Sequence, residues 1–535
     1  MGIYLNPGNK SFWEAVRSRI YVDKTNLIAC TNQMINTDEK YVCVSRPRRF
    51  GKSMTLAMLA AYYSAGCDSA ELFHGRKIES HETFQEHLNQ YDVIYLNMQR
   101  FLIRAKKMNV TDYLENVVKA ELYKVYGDLL PERETSLVSV LEQLYDNGDK
   151  QFIFLIDEWD CVMRERQESE ELQRQYLDFL RDLLKDQPYV ALAYVTGILP
   201  VKKYGQHSAL NMFLEYSMTD QGVFEEYTGF TEDEVKTLCV QFDMDFAEMG
   251  SWYDGYMFTG YQHIYNPKSV VEAMRRRKFS NYWTSTETYE ALKIYMDMDF
   301  DGLRTDIVQM LGGGHVKVNT RSFQNDMRSF KTKDDLLTLM IHLGYLAYDF
   351  DTRETFIPNK EIIEEFENAM SVGGWTNVMN VLTASEQLLK DTLDGNAGCV
   401  AEGLDRTHME VASILTYNDE NSQSLADALS DKDLCALIGL AYYSARRDYR
   451  LIREFPAGKG FADVVFLPLP HTAKPALVVE LKYDKSADTA IRQIRDRQYT
   501  QALEGYTGEI LLVGISYDKD NPNKLHSCAI EKVRE

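Results

Sequence analysis

Patterns of buried strands and of helices alternate along the first part of the chain. Longer stretches with helical periodicity, such as Ser53–Tyr63 and Leu172–Leu184, separate apolar runs of strand length. This alternation is typical of a parallel sheet with helices on both faces, so we predict an α/β fold. The apolar runs are Tyr41–Val44, Val93–Leu96, Phe152–Ile156, Val190–Val195 and a shorter one at Leu214–Met218.

The pattern becomes mainly helical after about residue 229 and stays so, with many aromatic residues, to about residue 310. Thr231 and Glu234 have capping-box spacing, which predicts the start of a helix. A helix running into a strand over Asp334–Phe350 and a turn at Phe356–Asn359 before another helix are compatible with a small winged-helix-like module. We therefore predict a helical and winged-helix-like middle region.

The most polar stretch of the chain, Asn418–Ser424, is the best candidate for an inter-domain linker. Strands and helices alternate again beyond it, which predicts a second, smaller α/β domain. The predicted domains are 1–228, 229–380 and 381–535, the last with a leading helical linker. The predicted elements of the last domain are a helix at Asp431–Arg446, strands at Tyr449–Glu454, Ala462–Leu467, Ala476–Leu481 and Glu509–Val513, and a helix at Ala487–Leu503.

Composition narrows the class of protein. A chain of 535 residues with 45% hydrophobic residues can bury several cores, and its net charge of -22 argues against nonspecific coating of nucleic acid. The eight cysteines form no C-x-x-C pair, which does not favour a zinc site and fits buried thiols in a reducing compartment. We see neither a signal peptide nor an apolar run of about 18 residues, so we expect a cytoplasmic protein without membrane contact.

A candidate phosphate-binding loop follows the strand Tyr41–Val44. Gly51, Lys52 and Ser53 lie between this strand and a helix, where backbone N–H groups would face an anion. In such a loop the lysine reaches the β- and γ-phosphates and the hydroxyl ligates magnesium. We therefore expect Lys52 to be accessible to solvent without nucleotide. The full pattern also places glycine at position 46, where this chain has Arg46.

Asp157 and Glu158 follow the apolar run Phe152–Ile156, which is the Walker B arrangement. A buried strand there delivers an aspartate toward the metal and a glutamate that polarises attacking water. We take the strand near Val93 as the one that separates the P-loop strand from the Walker B strand. The strand that ends at Thr196 would direct a polar group toward the γ-phosphate. The alternative is a core strand that simply ends in solvent.

Four of the seven residues from 46 to 52 are cationic, which in an acidic protein indicates a bound anion such as phosphate. The alternative is a basic turn exposed to solvent. We expect ATP as the ligand, with Mg²⁺ held by Ser53 and Asp157. The candidate nucleotide-binding residues are Arg46, Arg48, Arg49, Phe50, Gly51, Lys52, Ser53, Met54, Asp157 and Thr196, with Glu158 as the catalytic residue.

A second set of polar residues fits metal-dependent phosphodiester cleavage, which needs carboxylates for a divalent cation and a lysine to orient or activate water. Glu480 and Lys482 lie two apart on one predicted strand, so they point to the same face. Asp463 lies on the preceding strand, and Gln493 lies on the following helix, where it would line the same cleft. An E-x-K triplet alone also fits an exposed, salt-bridged strand.

These residues resemble those of bacterial and archaeal proteins that fuse an AAA-ATPase-like domain to a C-terminal PD-(D/E)XK nuclease-superfamily domain. The resemblance implies ATP and Mg²⁺ as cofactors, with Mn²⁺ as an alternative at the nuclease site, where Asp463 and Glu480 would hold the metal. Arginine at position 46 is normal in these proteins. The matching segments are Tyr21–Thr25, Arg46–Ser53, Ile156–Glu158, Trp252–Tyr256, Tyr265–Pro267, Leu343–Leu346, Ile357–Glu361, Asp463, Glu480–Lys482 and Gln493–Ile494.

Two departures from the family pattern concern the nuclease site. Phe461 stands where the family often has arginine, and no glutamate stands where a helix glutamate usually opens the domain. Asp431 or Asp433 lies near that place, and Glu454 is a further acidic candidate. The third metal ligand therefore stays open among these three residues.

The leading hypothesis is an ATPase-gated nuclease that cuts DNA, with a role in handling foreign or mobile DNA suggested by the domain fusion. The alternative is a nucleotide-dependent signalling switch whose C-terminal domain binds nucleic acid or protein without cutting. A third is a scaffold that binds nucleotide but hydrolyses nothing. The presence of Asp157 and Glu158 favours hydrolysis, and that of Asp463, Glu480 and Lys482 favours cutting. A homo-oligomer is left open.

Overall fold

The computed structural model forms two compact units, which are described separately. Unit 1 comprises Met1–Met244, Asp254–Lys278 and Val318–Arg353, and unit 2 comprises Asp245–Tyr253, Phe279–Lys317 and Glu354–Glu535. The predicted domain bounds 1–228, 229–380 and 381–535 stay a prediction. The structure describes residues 2–535 apart from 107, 131–135, 202–209, 262, 284–288, 299, 301, 324–329, 373, 416–436, 458–459, 470–471, 498–502, 504–505, 507, 519–524 and 534–535.

The strands are numbered in chain order. Those of unit 1 are β1 to β7 and β9, and those of unit 2 are β8 and β10 to β15. Their bounds are β1 Tyr41–Ser45, β2 Asp92–Asn97, β3 Phe152–Asp157, β4 Val190–Gly197, β5 Leu214–Tyr216, β6 Phe230–Thr231, β7 Ile264–Tyr265, β8 Val316–Lys317, β9 Ala347–Asp349, β10 Glu354–Phe356, β11 Tyr449–Ala457, β12 Gly460–Pro468, β13 Ala476–Tyr483, β14 Ile510–Tyr517 and β15 His526–Val533.

Helices connect these strands, and none in the described part of the chain is both long and apolar enough to cross a membrane. The α-helices of unit 1 are Lys10–Val16, Leu27–Met34, Lys52–Tyr63, Ala70–Phe73, Phe84–His87, Met98–Ala105, Val110–Tyr126, Leu137–Gly148, Cys161–Glu165, Glu170–Leu184, Glu232–Phe242, Pro267–Arg276 and Lys333–Leu343. Those of unit 2 are Phe246–Tyr253, Tyr289–Met296, Leu303–Leu311, Lys360–Val372, Thr376–Leu393, Ala397–Leu415 and Ala487–Asp496.

The main sheet of unit 1 is parallel and has the order β2-β3-β4-β1-β5. The strand between the P-loop strand β1 and the Walker B strand β3 is therefore β4. The prediction that the strand near Val93 would separate them was wrong, because β2 pairs with the far side of β3. Sequence order places β2 between the two motifs along the chain, but the crossover connections place it at the sheet edge.

Hydrophobic cores cover both faces of this sheet. Alternate residues of each strand enter different clusters: Cys43 and Phe154 lie in one, and Val44 and Leu155 in the other. The helices Val110–Tyr126 and Leu137–Gly148 complete the first cluster, and Lys52–Tyr63 contributes to the second. Strands buried on both faces read as continuous apolar runs, which is why the sequence predicted them. The predicted α/β fold with helices on both faces is confirmed.

Two helix starts in unit 1 follow from local sequence. The predicted capping box is present, since the backbone N–H of Thr231 donates to Glu234 at 2.9 Å and the helix Glu232–Phe242 begins there. At the second start, the Asn266 side chain accepts from the backbone of Lys268 at 3.0 Å, with proline at the first helical position. Both devices satisfy N–H groups that have no partner inside the helix.

The large sheet of unit 2 is mixed, with the order β11-β12-β13-β14-β15. Only β13 and β14 are parallel neighbours, and the other pairs are antiparallel. The strands β11 to β14 confirm the predicted ones, whereas β15 was not predicted. The predicted helix at Ala487–Leu503 is observed as Ala487–Asp496. The predicted linker at Asn418–Ser424 lies outside the described residues.

The helix-to-strand and turn-to-helix patterns of the middle region are also present. The helix Lys333–Leu343 precedes β9, and the helix Lys360–Val372 follows β10. Within unit 2, β10 pairs with β8 in antiparallel register, Glu354 opposite Lys317. These elements are divided between the two units, so the winged-helix-like arrangement stays a prediction.

Candidate nucleotide and nuclease sites

The loop after β1 turns sharply into the helix Lys52–Tyr63. Gly51 has a φ of 93°, a left-handed conformation that suits glycine, and Arg49 has a φ of 70°. Helical N–H groups at positions 52 and 53 have no intrahelical acceptor, because the first turn of a helix lacks one. The loop therefore presents backbone donors and the positive end of a helix dipole at the carboxyl edge of the sheet.

Asp157, at the end of β3, collects donors from three neighbouring elements. The Ser53 hydroxyl donates to Oδ2 at 2.8 Å, and the Asn97 amide at the end of β2 donates to the same oxygen at 3.1 Å. The Thr196 hydroxyl, near the end of β4, donates to Oδ1 at 2.9 Å. A hydroxyl and a carboxylate in contact are hard oxygen ligands, so Ser53 and Asp157 fit a magnesium ion.

Lys52 is not accessible to solvent, contrary to the sequence-based expectation. Its side chain is only 5% exposed, and Nζ donates to the carbonyls of Arg46 and Pro47 at 2.8 and 2.7 Å. Burial lowers the pKa of Lys52 to about 8. The ammonium group thus rests on carbonyls of its own loop, and reaching a phosphate requires it to leave them.

The other loop residues predicted to contact nucleotide differ in exposure. Arg46 is fully buried: Nε donates to the Thr228 hydroxyl at 2.8 Å and Nη1 to the Tyr216 carbonyl at 2.9 Å. Burial lowers the pKa of Arg46 to about 10. Phe50 is also buried, with its ring 5.1 Å from that of Tyr256. These two side chains pack inside unit 1. Arg48 and Arg49 are half-buried, and Met54 is exposed.

Glu158 has a backbone conformation that is uncommon for its residue type, with a φ of 55°. Its carboxylate is paired with Arg164, and Arg164 Nε also contacts Asp160 Oδ2 at 3.0 Å. The same Asp160 oxygen accepts from the backbone of Ile198 and Leu199 at 3.0 and 2.9 Å. Left-handed non-glycine residues cost energy and occur often at functional sites. Arg164 therefore holds Glu158 at the carboxyl edge of the sheet.

Three residues of this site were missed by the sequence analysis: Asn97, Asp160 and Arg164. Asn97 directly follows the predicted strand Val93–Leu96, which was an available signal. Asp160 and Arg164 are four apart, a spacing at which helical side chains meet. Gly197 follows Thr196 and allows close packing, since an added Cβ there would lie 2.6 Å from Trp159 Nε1.

In unit 2 the structure brings together the four residues predicted for the nuclease site. β12 and β13 pair in antiparallel register with Val464 opposite Val479. The next residues along the two strands, Asp463 and Glu480, therefore lie side by side. Asp463 Oδ2 accepts from the Leu481 backbone at 2.7 Å. Lys482 Nζ donates to Glu480 Oε1 at 2.8 Å, which places both side chains on one face of β13. Gln493 also donates to Glu480 Oε1.

Glu480 is the most buried member of this set, with 1% exposure. Its pKa is raised to about 7, mainly by burial; the hydrogen bond from Lys482 opposes this rise, and the charge of the nearby Asp463 adds to it. The second carboxylate oxygen, Oε2, is buried and has no hydrogen-bond partner among the described residues. An unpartnered, buried carboxylate oxygen beside a second carboxylate fits a divalent cation.

Close packing of the helix Ala487–Asp496 positions Gln493 over this site. Gly514 on β14 lies opposite Glu480, and an added Cβ there would meet the Ala487 carbonyl at 2.4 Å. Ile491 and Ile494 of the same helix enter the core formed with Val478. Glycine at position 514 thus lets the helix approach the sheet at the height of Glu480.

Three acidic residues were left open as the third metal ligand. Asp431 and Asp433 lie outside the described residues, and Glu454 belongs to β11 with its side chain outside the described part. Within the described ranges no group of three or more His, Cys, Asp or Glu side chains could hold a metal ion. Of the metal ligands predicted for the nuclease site, the structure therefore describes two, the carboxylates of Asp463 and Glu480.

Comparison with known proteins finds a curated relative in Azotobacter chroococcum mcd 1, described as an uncharacterized protein in the vnfD 5′ region. It is 28% identical over 280 residues, and the match covers 50% of this chain and 51% of the relative. The chain therefore spans about half the length of the curated relative that it matches.

Two solved structures match this chain at low similarity. The Walker-type ATPase PABY2304 of Pyrococcus abyssi is 13% identical with a TM-score of 0.34, covering 64% of this chain and 94% of that one. The ORC2 protein of Aeropyrum pernix is 12% identical with a TM-score of 0.28, covering 66% and 96%. Neither value is high enough to inform the function of this chain.

Two family models match the chain at the two candidate sites. The model described as a predicted AAA-ATPase matches residues 8–206, which include the P-loop and β3. The model of the PD-(D/E)XK nuclease superfamily matches residues 436–527, which include Asp463, Glu480, Lys482 and Gln493. Both matches confirm the resemblance drawn from the motifs. The chain thus carries an AAA-ATPase-like domain at residues 8–206 and a PD-(D/E)XK nuclease-superfamily domain at residues 436–527.

Proposed function

We propose that this protein binds and hydrolyses ATP in unit 1 and cuts DNA with the C-terminal domain in a Mg²⁺-dependent reaction. The convergence of Asp463, Glu480, Lys482 and Gln493 on one carboxylate is the observation that carries the nuclease part. The contacts of Ser53 and Thr196 with Asp157 support the ATPase part. Handling of foreign or mobile DNA is the role that we propose for the combination.

In the ATPase reaction, the N–H groups at the start of the helix Lys52–Tyr63 bind phosphate oxygens. Lys52 leaves the carbonyls of Arg46 and Pro47 and contacts the terminal phosphates, where its charge stabilises the transition state. Ser53 and Asp157 would hold Mg²⁺, which when bound neutralises phosphate charge. Glu158 accepts a hydrogen bond from the attacking water and orients it.

In the nuclease reaction, Asp463 and Glu480 would hold the cation, which when bound offsets charge on the scissile phosphate. Lys482 orients the attacking water through its ammonium group, and Gln493 fixes the Glu480 carboxylate. Because its pKa is raised to about 7, Glu480 must lose a proton before it can bind a cation in acidic solution.

A cleavage assay tests the nuclease proposal. The full chain is incubated with plasmid or single-stranded DNA, Mg²⁺ or Mn²⁺, and with or without ATP. We expect metal-dependent cleavage that Lys482→Ala abolishes, while Lys485→Ala, which changes an exposed lysine three residues away, leaves it intact. Equal cleavage by the Lys482 variant would reject the assigned site.

A non-cutting switch is the second candidate function. The observation that favours it is that Lys482 and Gln493 both donate to Glu480 Oε1, so this metal-ligand oxygen already has protein partners. In this case the C-terminal domain binds nucleic acid or protein without cutting it, and the nucleotide bound in unit 1 controls this binding. DNA binding without cleavage under any metal condition would support this function over the nuclease.

A further inference from the structure

A cavity in unit 2 is lined by a dense group of cations and a smaller group of carboxylates. Its volume is about 850 Å³, within the range of about 300–1,000 Å³ typical of ligand sites. The cations Arg446, Arg447, Arg450 and Arg453 come from the segment Tyr443–Arg447 and from β11. The residues of the proposed nuclease site do not line this cavity.

Two helices supply much of the remaining lining. Lys360, Ile363, Glu364 and Glu367 of the helix Lys360–Val372 face the cavity at a spacing of three and four residues, so one helix face points into it. The helix Thr376–Leu393 contributes in the same way. The acidic residues are thus on helices, whereas the arginines are on the segment and strand described above. Leu382 and Met379 add apolar surface.

Two of the four arginines have protein partners, and the other two form no ion pair in the described part of the chain. Arg447 is paired with Glu386, and Arg453 donates to the Gly312 carbonyl. Arg450 is exposed, and no ion pair of Arg450 or Arg446 is present in the described ranges. The Arg446 guanidinium lies 5.1 Å from the ring centroid of Tyr443. So much positive charge in a chain of net charge -22 is a strong attraction for an anion.

We propose that this cavity binds a phosphorylated nucleoside, at a site separate from the P-loop. The arginines suit phosphate, since the guanidinium group donates two parallel hydrogen bonds to its oxygens. Glu364 and Glu367 accept from the amino and hydroxyl groups of a base and ribose. Ile363 and Leu382 contact the base. Two other phosphate ligands fit this lining less well. A nucleic-acid strand would bring repeated phosphates toward the carboxylates of Glu364 and Glu367, and inorganic phosphate would leave the apolar side chains without a contact.

Titration calorimetry of the Lys52→Ala chain tests this site, because that substitution weakens competing binding at the P-loop by removing its lysine contact with phosphate, and the Arg450 variant then assigns the remaining binding. ATP is the probe, and a (dT)₂₀ oligonucleotide and inorganic phosphate are the comparison ligands. We expect ATP to bind with one equivalent per chain. Adding Arg450→Glu should weaken this binding by about tenfold or more, the value of a lost charge-assisted contact. Arg406→Glu, an exposed arginine of unit 2 outside the cavity, should leave it unchanged.

Absence of ATP binding by the folded Lys52→Ala chain would overturn the proposal, as would equal weakening by the Arg450 and Arg406 variants. Tighter binding of (dT)₂₀ than of ATP, with loss in the Arg450 variant, would replace it with a nucleic-acid groove. Circular dichroism and thermal melting check each variant. If the charge reversal lowers the melting temperature, Arg450→Ala replaces it, since this substitution removes the contact without adding a charge.

Discussion

Replacing the buried Glu480 with glutamine should make the C-terminal sheet more stable at alkaline pH when no metal is present. Burial raises the pKa of Glu480 from 4.5 to about 7. The folded state therefore binds the proton more tightly than the unfolded state does. This contribution to stability is fully present below pH 4.5 and is lost as the pH rises through about 7. Glutamine stays neutral at every pH, so the variant does not lose this stability as the pH rises.

The magnitude follows from the size of this shift. A rise of about 2.5 pKa units corresponds to about 3 kcal/mol, at about 1.4 kcal/mol per unit. Most of this difference develops between pH 5 and pH 8. Loss of the 2.8 Å contact between Lys482 and Glu480 opposes the gain, so we expect a net stabilisation of about 1–3 kcal/mol at pH 8.

Hydrogen–deuterium exchange measures the effect locally, since peptides from β13 and β14 report the opening of this sheet. Variant and wild type are compared at the same pH in EDTA, so intrinsic exchange rates cancel. Slower exchange in the variant at pH 8, but nearly equal exchange at pH 5, is the expected result. Glu509→Gln, which changes a glutamate 48% exposed and paired with Lys532, is the matched control. Equal exchange of variant and wild type at both pH values would refute the reasoning.

Three further predictions concern unit 1 and its coupling to cleavage. Glu158→Gln should retain ATP through gel filtration yet release phosphate about a hundredfold more slowly, because the amide cannot orient water as the carboxylate does; unchanged turnover would move this role elsewhere. Gly197→Ala should lower the melting temperature and reduce the free energy of unfolding by about 1–3 kcal/mol, because the added Cβ would lie 2.6 Å from Trp159 Nε1. Gly374→Ala is the control, since an added Cβ there meets nothing within 4 Å. If ATP gates cleavage, Lys52→Ala should change DNA cleavage at saturating ATP while Lys482→Ala leaves ATP hydrolysis nearly intact; a wild-type cleavage rate in the Lys52 variant would leave two independent modules.

The sequence was informative wherever burial alone determines the pattern. β1, β3 and β4 are buried on both faces, so their continuous apolar runs were recognised within two residues of the observed bounds. The residues that end these strands were therefore placed at one sheet edge. β15 was missed because it is a partly exposed edge strand that carries Glu531 and Lys532, which weakens its apolar pattern.

Long-range pairing explains what could not be predicted from sequence. Strand order depends on crossover connections, so the position of β2 at the sheet edge has no local signal. Arginine and lysine side chains are usually exposed, yet Arg46 and Lys52 are buried. Arg46 donates to the Thr228 hydroxyl, far along the chain, and Lys52 donates to a carbonyl of its own loop. The Glu158–Arg164 pair likewise depends on side-chain directions that spacing alone does not define.

The position of β4 between β1 and β3 has a consequence for synthesis of the chain. β1 ends at residue 45, but its central partner begins only at residue 190. At roughly 5–20 residues per second, the ribosome takes on the order of ten seconds to make the intervening chain. During that time the side of β1 that pairs with β4 has no partner, and its backbone N–H and C=O groups are exposed. The N-terminal third of the nascent chain therefore exposes a strand edge open to wrong pairing until β4 emerges.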